Sequence, residues 1–199
     1  MPSPITHTLL TKYLPIPENA EYHQDAKQYN HYFQIGSIGP DIPYGSKTDW
    51  NLFGDKTKLA ELFHFTEDGL STSYSPREIP LQGLKHVKEN VNTSNEKGDQ
   101  YDCLFWFLVG YASHMLADGV MHPFVVDKVG KYDDNHKEHR ALEMGLDVLM
   151  CKRFTDCDDS ALESIHCRID KLVRNFKEKE NSNFVFSQFA DLINTIYAG

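Results

Sequence analysis

Apolar positions along the chain recur at the three-to-four-residue spacing of helices, and no stretch alternates in the manner of a strand series. The longest apolar run, Cys103–Ala112 (CLFWFLVGYA), reads as the most buried core helix and is too short to span a bilayer. It belongs to a predicted helix over Tyr101–Asp118, joined to a preceding one over Pro76–Val91 by the polar turn NTSNEKGDQ. Upstream, Ser3 caps a first helix with Pro4 at its first position. A polar-aromatic helix follows over Glu18–Phe33, and a short one over Lys56–Phe65. Downstream, Asp134 or Asn135 caps a helix whose apolar face is Leu142, Leu146 and Leu149. A mixed-charge helix over Ser160–Lys177 carries the stripe Ile165, Ile169 and Leu172, and Phe184–Ile196 closes the chain. No internal repeat or low-complexity linker divides it, so the expectation is one compact, all-α, multi-helix domain over residues 1–199.

The polar residues that interrupt the apolar pattern carry the chemistry. The core run continues into HMLADGVMHP, which places His114, Asp118 and His122 four residues apart. In a helix such residues stand one above the other on one face. A buried carboxylate without a partner is costly, and a cation is the partner that this residue set offers it. A second ladder, His139 and Glu143 in HKEHRALEMGLD, repeats the spacing. His139 is preferred over His136, because a four-residue separation lets both groups chelate one ion. Asp41 lies in the stiff glycine- and proline-containing turn GSIGPDIPYG, His64 in LFHF, and His7 in PSPITHTLL. Because His64 ends one predicted helix and His114 continues another, the site is expected between helices, supported by the core.

One ion cannot take all of these ligands. Along a helix His114 and His122 are roughly 12 Å apart at about 1.5 Å per residue. Zinc bonds of about 2 Å close that gap only if the helix breaks after Gly119, ahead of Pro123. A polynuclear cluster is the alternative. Imidazole and carboxylate ligands suit zinc best, with manganese or iron as weaker fits.

Composition narrows the partners. With 20 Lys+Arg against 29 Asp+Glu the formal net charge is −9. An acidic chain without a basic stripe argues against nucleic acid as a partner. No basic segment followed by an apolar one opens the sequence, so no signal peptide is visible and a cytoplasmic location is expected. Cys103, Cys151, Cys157 and Cys167 show no CxxC spacing and read as reduced thiols.

The order of candidate ligands, with HxxxDxxxHP followed by HxxxE and preceded by a GxxxPD-type turn, resembles the bacterial zinc-dependent phospholipase C family. That family's all-helical fold is shared with single-strand-specific nucleases. The resemblance covers Ile5–Leu149, about three quarters of the chain. It implies that Asp41, His64, His114 and Asp118 hold a first zinc, and that His122, His139 and Glu143 hold a second. A third zinc in that family is held by an amino-terminal tryptophan, an early histidine and the shared aspartate, of which His7 and Asp118 are the counterparts here. This chain begins Met-Pro-Ser-Pro and lacks the tryptophan, so two firm ions and a weakly held third are expected. Ile42 stands where the secreted enzymes carry an aromatic residue after the loop aspartate, so phosphatidylcholine specificity does not carry over. The spacing from Asp118 to His122 is also tighter than theirs. The resemblance implies a phosphodiester hydrolase in which zinc activates water for in-line attack on phosphorus, with Asp41 as the general base. Its substrate would be a phospholipid or another small phosphodiester, met in transient contact with a membrane surface. The alternatives are a nuclease or nucleotidase of the same fold, and a metal-binding protein with little catalysis.

Overall fold

The computed structural model describes residues 4–13, 23–42, 63–64, 76–91, 98–154 and 171–197. Among these the chain is all helical: α1 (Pro4–Tyr13), α2 (His23–Gln28), α3 (Asn30–Ser37), a 3-10 turn at Gly39–Asp41, α4 (Glu78–Val91), α5 (Gly98–Val129), α6 (Tyr132–Phe154) and α7 (Ser182–Tyr197), with residues 171–177 also helical. Pro4 opens α1 as expected, while Ser3 lies outside the described residues.

The central element is α5. Its apolar half contributes Leu104, Phe107, Leu108 and Tyr111, each at most 2% exposed, to a core completed by Ile35, Ile38, Ile79, Phe176, Val185 and Phe189. By length and composition α5 is sufficient to cross a membrane, a property that the run Cys103–Ala112 did not reveal. More than half of its most apolar window is buried, and it packs against α1, α3, α4, α6 and α7. Packing inside the bundle therefore accounts for the apolar residues of its first half.

α3 and α5 cross with their backbones in close contact. A Cβ on Gly36 would lie 1.9 Å from the Phe107 carbonyl oxygen, and one on Gly110 would lie 2.1 Å from that of Phe33. Only glycine lets the two backbones meet in this way.

Several sequence expectations are corrected. The helix expected over Tyr101–Asp118 is longer: it continues unbroken past Gly119 and through Pro123 to Val129. Pro123 removes one helical donor, whose acceptor would have been the Gly119 carbonyl. Both residues lie on the exposed side of α5, and a Cβ added at Gly119 would meet nothing within 4 Å, so water can take that place. The Glu18–Phe33 helix is divided at Tyr29, whose φ of −97° and ψ of 17° end α2 and whose hydroxyl donates to Asp99 at 2.6 Å; residues 18–22 lie outside the described set. The stripe Leu142, Leu146 and Leu149 is not the buried face of α6. Leu149 is 63% exposed, and the buried row is His139, Glu143, Asp147 and Cys151. Partnered polar groups have displaced the leucines from the inward face. Of the Lys56–Phe65 helix only residues 63–64 are described, and of Ser160–Lys177 only 171–177. Cys103 and Cys151 are buried free thiols, and Cys157 and Cys167 lie outside the described residues.

Candidate metal centre

α1 brings His7, the 3-10 turn brings Asp41, the segment at 63–64 brings His64, α5 brings His114, Asp118 and His122, and α6 brings His139 and Glu143. His7, His114 and His139 are at most 1% exposed. Asp41, His64, Asp118 and Glu143 are buried as well. In the 3-10 turn Pro40 presets the backbone, and the Asp41 amide donates to the Ile38 carbonyl at 3.0 Å.

The α3–α5 crossing sets the orientation of the central ligand. It presses the last turn of α3 onto α5, so that His114 Nδ1 lies 2.8 Å from the Ser37 carbonyl oxygen. A carbonyl only accepts, so the ring donates from Nδ1, and the Nε2 lone pair is directed into the site. His139 is oriented similarly, though more loosely, with Nδ1 3.4 Å from the Gly130 carbonyl oxygen. Gly130 ends α5 at a φ of +84°, and the Asn135 side-chain amide donates to the Val129 carbonyl at 2.9 Å. Asn135 itself is non-helical (φ −140°, ψ 47°), in keeping with its expected place at the start of the second ladder's helix.

The ligand atoms converge. His64 Nε2 lies 3.1 Å from His114 Nε2 and 3.3 Å from Asp41 Oδ1. Asp118 Oδ2 lies 3.2 Å from His114 Nε2 and 3.9 Å from His64 Nε2, while its Oδ1 lies 3.3 Å from His7 Nε2. The His7 and His114 rings stack at 3.8 Å. Tetrahedral bonds of about 2.0 Å place neighbouring ligand atoms about 3.3 Å apart, so most of these separations are edges that a zinc ion would set. Among the described residues two sets of three have their ligand atoms within 4.8 Å of one another: Asp41, His64 and His114, and His7, His114 and Asp118. His114 thus stands beside His7 and Asp118 where only two ligands were expected. A third cluster joins His139 Nε2 to Glu143 Oε1 at 3.2 Å, with the His122 ring edge-on to His139 at 5.3 Å and Tyr132 flanking the same ring at 5.3 Å.

Polar atoms buried without hydrogen bonds are the second sign that these residues fit a cation. Both ring nitrogens of His7, Asp41 Oδ2 and Asp118 Oδ1 are in this state. Such atoms cost about 1–3 kcal/mol each unless something replaces the lost water, and a divalent ion does so for all of them together. Burial alone would push the Asp118 carboxyl up. The His114 and His7 imidazoles facing it outweigh that effect and hold the group well below the usual carboxylate range. Asp41 behaves alike: burial raises it, and His114 and His64 bring it below its ordinary value.

Sequence reasoning missed Asp147, 3% exposed on the ligand face of α6, although it continues the four-residue ladder as HxxxExxxD. It also missed Ser37, which acts through its backbone carbonyl and so leaves no side-chain signal. Neither the curated proteins nor the solved structures give a match to this chain. The profile of the zinc dependent phospholipase C family does, over residues 3–198. With an all-helical bundle and buried His/Asp groups spaced for a metal ion, the chain belongs to the zinc dependent phospholipase C family.

Proposed function

We propose that this protein hydrolyses a phospholipid, or a related small phosphodiester, at a zinc cluster built from the residues above. The observation that carries this reading is the set of ligand-atom separations of 3.1–3.3 Å around His64, His114, Asp41 and Asp118. Asp41, His64, His114 and Asp118 would hold the first zinc, His122, His139 and Glu143 the second, and His7 with Asp118 a weaker third. When bound, zinc supplies a Lewis acid for the phosphoryl oxygens and acidifies the attacking water. Asp41, kept ionised by the neighbouring imidazoles, accepts that water's proton, and its Oδ2 has no hydrogen bond competing for the role. Asp118 presents one oxygen to His114 and the other to His7, so its carboxylate would be shared between two metal positions. Ser37 holds His114 in the tautomer that leaves Nε2 for metal.

The test is an assay of zinc-loaded protein against phospholipid vesicles, a chromogenic phosphodiester and single-stranded DNA. Asp41→Asn is expected to keep most of its zinc and lose about 10²–10⁴ of its turnover, as loss of a general base does. Asp118→Asn is expected to lose zinc and activity together. Cleavage of DNA alone would establish the nuclease alternative. A fully zinc-occupied protein that cleaves none of the three would make this a binding protein and end the proposal.

A further inference from the structure

We propose that Asp147 is a positioning residue that sets the register of α1 on α6 and thereby holds His7 at the metal centre. The inference rests on the metal-centre reading above and extends it to a residue that is not a ligand.

One oxygen of Asp147, Oδ1, accepts two bonds from a single residue of α1: the Thr6 backbone amide at 3.0 Å and the Thr6 hydroxyl at 2.6 Å. Thr6 lies in the first turn of α1, where backbone amides have no helical acceptor, so a carboxylate from another helix serves as its cap. A charged acceptor at a helix amino terminus is also favoured by the helix dipole. Other contacts between the two helices are apolar packing and one hydrogen bond at their far ends. Ile5 and Leu9 pack with Cys151 and Met150, and the Tyr13 hydroxyl donates to the exposed carbonyl of Phe154. Thr6 pairs with Asp147 and Tyr13 with Phe154 at the same sequence offset, so the two helices run in the same direction. Apolar side chains tolerate sliding along such a pair, whereas a carboxylate bonded twice to one residue does not.

Thr6 immediately precedes His7, and Asp147 follows Glu143 by one helical turn on the same buried face. The helix carrying His139 and Glu143 therefore fixes the axial position of the helix carrying His7. A slip of one turn would move His7 by about 5.4 Å, against a separation from Asp118 of 3.3 Å. His7 makes no hydrogen bond through either ring nitrogen, so its place depends on α1 as a body.

The experiment is a double-substitution cycle, read by competitive chelator titration of zinc and by circular dichroism, on wild type, Asp147→Ala, His7→Ala and the double variant. Asp147→Ala is expected to weaken the most loosely held zinc about 10- to 100-fold, the range for groups that orient a ligand, with helical content retained. In the His7→Ala background it should cause no further loss. Asp147→Asn keeps an oxygen acceptor and should titrate close to wild type. Thr6→Val, which removes only the hydroxyl bond, should weaken the same zinc less than Asp147→Ala does, and it stands in if Asp147→Ala fails to fold. Equal losses in both His7 backgrounds, Asp147→Asn behaving like Asp147→Ala, or no effect of Thr6→Val would each overturn the proposal while leaving the metal centre standing. Wild-type protein that takes up no zinc at all would instead remove the metal reading, and this inference with it.

Discussion

Alanine placed at two glycines of the same helix should have opposite effects. At Gly110 the new Cβ would lie 2.1 Å from the Phe33 carbonyl oxygen and 2.8 Å from the Ser37 amide nitrogen. An ordinary carbon–oxygen approach is about 3.3 Å, so α3 and α5 must separate by about 1 Å. The atoms in the way are backbone, which no rotamer change relieves. Overpacking of this kind costs about 1–3 kcal/mol. The same movement carries the Ser37 oxygen away from His114 Nδ1, and a 2.8 Å bond lengthened by about 1 Å is no longer a hydrogen bond. A buried donor and acceptor left apart add about 1–3 kcal/mol, for a total loss of about 2–6 kcal/mol. At Gly119 nothing lies within 4 Å of the added Cβ, and alanine in an exposed helical position gains about 1 kcal/mol over glycine. Urea unfolding of Gly110→Ala and Gly119→Ala, each with and without zinc, measures both. Gly110→Ala should also bind zinc more weakly, because His114 loses the contact that selects its tautomer. If Gly110→Ala unfolds within 0.5 kcal/mol of wild type and holds zinc equally well, the close crossing does not orient the metal ligand and the argument fails.

Removing zinc with a chelator should lower the melting temperature by about 10 °C or more, since ligand at 1,000 times its dissociation constant contributes about 4 kcal/mol and each kcal/mol moves a domain of this size by about 2–4 °C; an unchanged melting curve would count against a buried centre. Zinc affinity should fall as pH drops below neutral, because imidazole ligands must be unprotonated to bind, and a pH titration of bound zinc checks this. Asp41 and Asp118 remain ionised through that window, since both are held below their ordinary values. Their folded pKa values are the depressed ones, so the stability they contribute is complete above about pH 4 and is lost only as pH falls through those lower values. Gly130→Ala should cost about 1–2 kcal/mol by forcing a side chain into the left-handed region at φ +84°, measurable by the same unfolding assay; no change would mean that the turn relaxes freely.

The all-helical class and the central helix were legible because the run Cys103–Ala112 has no polar interruption, and the ladders because their four-residue spacing is a helical period. The inward face of α6 was misread for a related reason. Leucine spacing alone pointed to Leu142, Leu146 and Leu149, but a row of polar residues with partners can claim the interior, and His139, Glu143 and Asp147 do so. The continuation of α5 through Pro123 was missed because a proline's cost depends on whether the freed carbonyl faces water, which a sequence does not state. The Ser37 contact with His114 depends on Gly36 and Gly110 meeting across two helices, a tertiary event without a local signature.

α5 joins two unlike halves in one unbroken helix. Between Tyr101 and Tyr111 its inward face is buried among apolar side chains, whereas from His114 onward its outer face, with Leu116, Val120 and Phe124, is exposed and its inner face holds His114 and Asp118. Folding can therefore begin at one end without metal. The apolar half has local helical contacts and a hydrophobic surface to nucleate on, while the ligand half carries buried carboxylates and imidazoles that gain from order only when a cation is present. Hydrogen exchange along α5 in zinc-free protein would accordingly show slow amides to about Tyr111 and fast ones beyond, and zinc would slow only the second set. Metal capture then becomes the closing step of folding, made by a scaffold already half assembled.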